Sequence, residues 1–123
     1  MGNPAPGFKN AQRNHIVTRP ARKRVRVTLG AEVLADSREA LEMREGSYPP
    51  VYYVPRKDVK LERLMRTSLT THCPYKGDAS YYCIVNGPDN AVWSYEQPYD
   101  EMLDIRDLLA FYPNKVAIAL GDD

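Results

Sequence analysis

The segment Arg24-Val25-Arg26-Val27-Thr28-Leu29 alternates strictly between polar and apolar residues, with Val25, Val27 and Leu29 on one side. That period of two predicts a half-buried strand. Gly30-Ala31 turns the chain, and Glu32-Val33-Leu34-Ala35 is its expected return partner. Residues 36–46 carry two patterns at once. Asp36 or Ser37 suits a helix cap and Gly46 a helix end, yet Leu41 and Met43 alternate with Glu42 and Arg44. The surrounding β pattern tips this segment to strand. Tyr48-Pro49-Pro50 breaks any helix, and Val51-Tyr52-Tyr53-Val54 is a β-branched and aromatic run that Pro55 stops, a further strand. Residues 58–66 suit a short helical turn or an irregular crossing.

The clearest hairpin comes next. Tyr81-Tyr82-Cys83-Ile84-Val85 and Ala91-Val92-Trp93-Ser94-Tyr95 flank Asn86-Gly87-Pro88-Asp89-Asn90, which is dense in turn residues. Both sides of the first strand are apolar or aromatic, so it is expected to be central and covered on both faces. In residues 100–111, Met102, Ile105, Leu108 and Leu109 form a helical stripe, with Asp100 and Glu101 in the first turn as the helix dipole prefers. This predicts one α-helix near the C-terminus. Pro113-Asn114 leads into a last strand from Lys115 to Leu120. The expected fold class is mainly β: antiparallel strands and one helix in a single domain over residues 23–120.

Charge sharpens the boundary. The formal net charge is only +1, but Lys9, Arg13, Arg19, Arg22, Lys23, Arg24 and Arg26 precede any acid. Residues 1–22, rich in Pro, Asn, Gly and Arg, read as an irregular basic arm. Such an arm either contacts nucleic acid or a partner, or lies solvated on its own acidic body. The second reading is the plainer one, so nucleic acid is not the expected partner. The chain has no apolar run long enough to span a bilayer and no signal-peptide core, which points to a cytoplasmic protein with Cys73 and Cys83 reduced. There is no CxxC pair, and adjacent His72 and Cys73 are poorly spaced for one tetrahedral zinc, so no metal and no cofactor is expected.

The densest chemistry lies in residues 70–83, where one imidazole, one thiol, one ammonium and several phenols fall close together around Pro74 and Gly77. His72 and Cys73 are the candidate catalytic residues. Lys76 or a protonated His72 would supply the positive charge a thiolate needs, whereas the bland alternative is an inert, buried cysteine. Cys83, inside a strand, reads as core. Lys76-Gly77 sits in a turn suited to an anion, and Arg56 follows Pro55 at a strand end, where a guanidinium can grip phosphate or carboxylate. Tyr52, Tyr53, Tyr75, Tyr81, Tyr82, Trp93, Tyr95 and Tyr99 make an aromatic set that serves either core or pocket. Nucleotide motifs are absent: there is no GxxxxGK[ST] and no GxGxxG, and Lys76-Gly77-Asp78-Ala79 departs from KxDG at its last residue.

Three blocks in order carry a family resemblance: Tyr48-Pro49-Pro50-Val51-Tyr52-Tyr53-Val54-Pro55-Arg56, His72-Cys73-Pro74-Tyr75-Lys76-Gly77-Asp78-Ala79-Ser80-Tyr81, and Ala91-Val92-Trp93-Ser94-Tyr95-Glu96. They closely resemble the domain-of-unknown-function family four-two-seven, also labelled nucleotidyltransferase-like, over residues 24–116. The resemblance implies a small β domain similar to the β-tent of methionine sulfoxide reductase B. It also implies that Arg56, His72, Lys76, Tyr81, Trp93 and Tyr95 belong to the family signature. It brings no established activity, and the motifs of this chain lend the transferase label no support.

The expected function is therefore a polar-aromatic pocket for a small anionic ligand bearing phosphate or carboxylate. Arg56, His72 and Lys76 would converge there, walled by Tyr81, Trp93 and Tyr95, with any reaction undefined. The alternatives are a non-catalytic interaction module using the basic arm, and thiol chemistry at Cys73. Self-association stays open.

Overall fold

The described residues form ten antiparallel strands in three small sheets. The structure, a computed structural model, describes residues 2–9 and 15–122. Strands β1 (Ile16–Pro20), β4 (Leu41–Glu45) and β5 (Val51–Tyr53) form one sheet in the order β1-β4-β5. Strands β2 (Arg24–Leu29), β3 (Glu32–Ser37) and β10 (Ala117–Gly121) form a second, ordered β10-β2-β3. The third runs β6-β7-β8-β9, from β6 (Leu64–Cys73) and β7 (Gly77–Ile84) to β8 (Val92–Ser94) and β9 (Ala110–Phe111). Among the described residues no helix is long and apolar enough to cross a membrane.

The third sheet divides the core. Successive side chains of a strand point to opposite faces, so Tyr82 and Ile84 enter one apolar cluster with Val25, Val27, Leu34 and Leu109. Ala79 and Tyr81 enter the other, with Ile16, Met43, Tyr53, Tyr95, Met102 and Ile105. Strand β7 is thus covered on both sides, as its two-sided apolar pattern predicts. The strands expected at residues 24–29, 32–35, 51–54 and 115–120 are present within a residue or two. The ambiguous segment does contain a strand, β4.

Three expectations give way. The C-terminal α-helix is replaced by a 3₁₀ stretch, Asp100–Ile105, broken at Met102 (φ −119°, ψ 22°) and followed by β9. The helical stripe is real only in part. Met102 and Ile105 are buried, but Leu109 exchanges backbone hydrogen bonds with Val54 at 2.8 and 2.9 Å, and Ala110 pairs with Trp93. Sheet pairing satisfies those backbone groups and overrides local propensity.

The basic arm is also part of the fold. Ile16–Pro20 pairs residue by residue with Leu41–Glu45, Ile16 is only 5 % exposed, and Ala5 is buried as well. A β-branched trio, Ile16-Val17-Thr18, suits this role although the composition around it suggests coil. Residues 10–14, with Arg13 of the expected arm, and Met1 lie outside the described residues.

The third difference is β6, ten residues of edge strand that hydrophobic alternation does not reveal. One of its faces is solvated, and its register with β7 shifts between Arg66 and Thr70.

Candidate functional site

Strands β7 and β8 set the site through their register. Tyr81 lies opposite Trp93, while Ser80 lies opposite Ser94 on the other face. On the Tyr81 side a cavity of about 190 Å3 opens between the third sheet and β4–β5. Tyr81, Trp93, Tyr95, Tyr53 and Tyr112 wall it, Lys76 and Glu45 supply its charges, and exposed Tyr48 with Pro49 stands at the rim. Gly77 takes φ +115° between the β6–β7 turn and the first residues of β7, and Pro74 precedes Lys76 in that turn. The turn brings Lys76 Nζ to 2.6 Å from Glu45 Oε1, and only 12 % of the lysine side chain is exposed.

The aromatic walls hold one another in place. Trp93 and Tyr112 rings lie 4.4 Å apart at 41°, Tyr53 meets Trp93 edge-on at 6.2 Å, and Trp93 Nε1 donates to the Tyr53 hydroxyl at 3.3 Å. Thr71 Oγ1 and the Tyr81 hydroxyl are 2.9 Å apart, and Tyr112 donates weakly to Tyr81 at 3.5 Å. Burial, the largest cause in each, pushes the phenols of Tyr53, Tyr95 and Tyr112 well above their ordinary range. Glu45 adds its negative charge to the first two. All three therefore stay neutral and keep a proton to donate. Tyr95 is 7 % exposed and faces the cavity, yet its hydroxyl has no hydrogen-bond partner among the described residues.

Arg56 lies on the opposite face of the third sheet. Its Nε donates to the Asp107 carbonyl at 2.7 Å, and its Nη2 approaches the Tyr82 hydroxyl, Ser94 Oγ and Glu96 Oε2 at 3.3–3.4 Å. Arg66 reaches the same carboxylate, with Nη1 2.7 Å from Glu96 Oε1 and Nη2 donating to Ser80 Oγ at 2.8 Å. Partial burial pushes the Glu96 carboxyl up, but the Tyr82 hydroxyl and the Arg66 and Arg56 charges together hold it below its ordinary value. Arg56 thus clasps a loop carboxylate, and the sheet separates it from Lys76. The expected three-cation convergence does not form, because Tyr81 and Tyr82 are neighbours on a strand and their partners necessarily fall on opposite faces.

His72 also stands outside the cavity, half exposed on edge strand β6. Its Nδ1 is 2.7 Å from Asp78 Oδ1, and its Nε2 is 3.5 Å from the Tyr99 hydroxyl. Asp78 and Tyr99 line a separate open polar cleft with Arg66, Ser80, Glu96 and Gln97. Cys73 is half-buried against the second apolar cluster. The lysine and histidine nearest it in sequence are engaged elsewhere, Lys76 with Glu45 and His72 with Asp78. Cys83 is half-buried too. Among the described residues no three His, Cys, Asp or Glu side chains gather closely enough to hold a metal ion.

Three of the basic residues near the N-terminus are engaged within the fold. Arg19 Nε lies 2.9 Å from Glu42, and Arg24 and Arg26 share Asp36 at 2.6 and 3.2 Å.

Of the six residues expected to form the pocket, Lys76, Tyr81, Trp93 and Tyr95 line one cavity, and Arg56 and His72 do not. Glu45 and Tyr112 are lining residues that the sequence reading did not select, and Tyr53 enters it only within the wider aromatic set. Glu45 carries one local signal: it lies two residues from Met43, hence on the same inward face of β4.

Comparison with known families gives one finding. The model of a domain of unknown function, DUF427, matches residues 17–122, so its match takes in the paired strand β1 almost from its first residue. No curated protein matches the chain.

Proposed function

The chain belongs to this family of unknown function, and we propose that its aromatic cavity binds a small, single-ring ligand bearing a carboxylate or phosphate, with Lys76 as the group that meets that charge. The observation that carries this reading is a nearly buried ammonium set among phenols and an indole and faced by one carboxylate. Burying an ammonium is costly unless it is paired and hydrogen-bonded. A site that retains one beside flat apolar walls suits a ligand with a planar body and an acidic end. Size supports a single ring. An apolar cavity of about 150 Å3 admits benzene, and this one is slightly larger at about 190 Å3. A nucleoside triphosphate would not be enclosed by it.

The chain has one tryptophan, Trp93, and it lies in the wall, so its fluorescence reports occupancy directly. Benzoate and phenyl phosphate are expected to change Trp93 emission and raise the unfolding midpoint, and benzyl alcohol to do neither. Ligand in hundredfold excess over its dissociation constant stabilises by about 2.7 kcal/mol. Lys76→Met should remove both responses to the acids, each measured against the unliganded variant. No response to either acid at about 10 mM, a level at which even millimolar binding is detectable, would refute the proposal.

A further inference from the structure

The cavity's own charges specify more than an anion. Lys76 and Glu45 are its two charged groups, they touch at 2.6 Å, and together they sum to zero. A ligand that is only an anion gains Lys76 but must lie against the Glu45 carboxylate. A ligand that is only a cation meets the converse problem at Lys76. A molecule carrying both charges can insert between the pair and replace one ion pair with two, leaving neither protein charge unmatched. The cavity is arranged for such an exchange. Glu45 Oε2 has no hydrogen-bond partner among the described residues. Tyr95, a residue 7 % exposed, lines the same space, and its hydroxyl is likewise unpartnered among the described residues. The first is an acceptor and the second a donor.

We propose that the ligand is a small zwitterion of the amino-acid type: its ammonium on Glu45, its carboxylate shared between Lys76 Nζ and the Tyr95 hydroxyl, and its side chain against Trp93 and Tyr112. This rests on the cavity being a ligand site. Aromatic faces at the walls add attraction for the ammonium that they would not offer a carboxylate. Tyr95 is then a specificity-determining residue, since it reads the acidic group by a hydrogen bond that no protein atom takes.

The test uses three probes of one shape on the full chain, L-phenylalanine, 3-phenylpropionate and 2-phenylethylamine, followed by Trp93 fluorescence and by calorimetry. L-phenylalanine should bind at least about tenfold more tightly than either analogue, the value of one charge-assisted hydrogen bond. Glu45→Gln should erase its advantage over 3-phenylpropionate. Tyr95→Phe should weaken both acid-bearing probes by about tenfold and leave 2-phenylethylamine unchanged. Urea unfolding of each variant checks that it is folded before it is titrated. Equal or tighter binding of 3-phenylpropionate overturns the zwitterion and leaves the proposed anion site standing. Failure of all three probes together with benzoate overturns both.

Discussion

Replacing Ile16 with Ala tests whether the N-terminal segment belongs to the folding unit. Ile16 is 5 % exposed, lies in the cluster containing Met43 and Tyr53, and begins a strand paired over five residues with β4. Truncating a buried isoleucine to alanine costs about 2–5 kcal/mol, through lost transfer energy and the cavity left behind. The strand end leaves room for partial collapse, so about 3 kcal/mol is the expectation here. Against a typical domain stability of about 5–15 kcal/mol that is a large fraction. At about 4 °C per kcal/mol for a chain of this size, the midpoint should fall by about 12 °C. Val17, the next residue, is 47 % exposed, and Val17→Ala should cost less than about 0.5 kcal/mol. Deleting residues 1–22 should be worse than either. It removes Ile16, strips Arg19 from the buried Glu42 carboxylate, and leaves β4 as a bare edge. Scanning calorimetry and urea unfolding followed by circular dichroism measure all three. A truncated protein that unfolds cooperatively within about 2 °C of the full chain would refute the reasoning, since it would make β1 an ornament rather than a structural strand.

Acid should destabilise this protein through a small set of carboxylates. The hydrogen bond from Arg24, outweighing partial burial, holds the Asp36 carboxyl far below its ordinary value of 3.8, and Arg26 adds to it. Glu32 and Glu42 are also held low by arginines, and Glu96, against the upward push of burial, by the Tyr82 hydroxyl and then by Arg66 and Arg56. The unfolded chain then binds more protons than the native one at low pH, so the stabilisation is complete above the unfolded values and is lost as pH falls below about 4. Urea midpoints from pH 7 to pH 3 should drop, and Asp36→Asn should flatten that limb; an unchanged slope would remove Asp36 from the account. Gly77→Ala forces a Cβ onto a residue at φ +115°, between the turn that carries Lys76 and strand β7. A loss of about 1–3 kcal/mol is expected in thermal unfolding, and an unchanged midpoint would show that the turn relaxes at no cost.

Much of the strand plan was legible in local pattern. Strict alternation in β2, turn chemistry at Asn86-Gly87, and the double-sided apolar run of β7 each depend on residues within one segment, and the structure agrees with all three. Of the six residues named from the sequence for a pocket, Lys76, Tyr81, Trp93 and Tyr95 line one cavity, and Arg56 and His72 lie outside it. What local pattern could not supply was partnership. Residues 100–111 have a helical stripe, but Leu109 is 55 residues beyond its backbone partner Val54, and that pairing decides its conformation. Ile16–Pro20 looks like coil until β4 offers it a ladder. Arg56 and Lys76 look like companions until β7 sends Tyr81 to one face and Tyr82 to the other. Glu45 meets an ammonium in the cavity only because a turn 31 residues later carries Lys76 to it. Side-chain periodicity is a property of one strand and can be read from the chain. Which strand lies alongside, and therefore which charges meet, is settled by long-range burial and hydrogen bonding that only the folded molecule expresses.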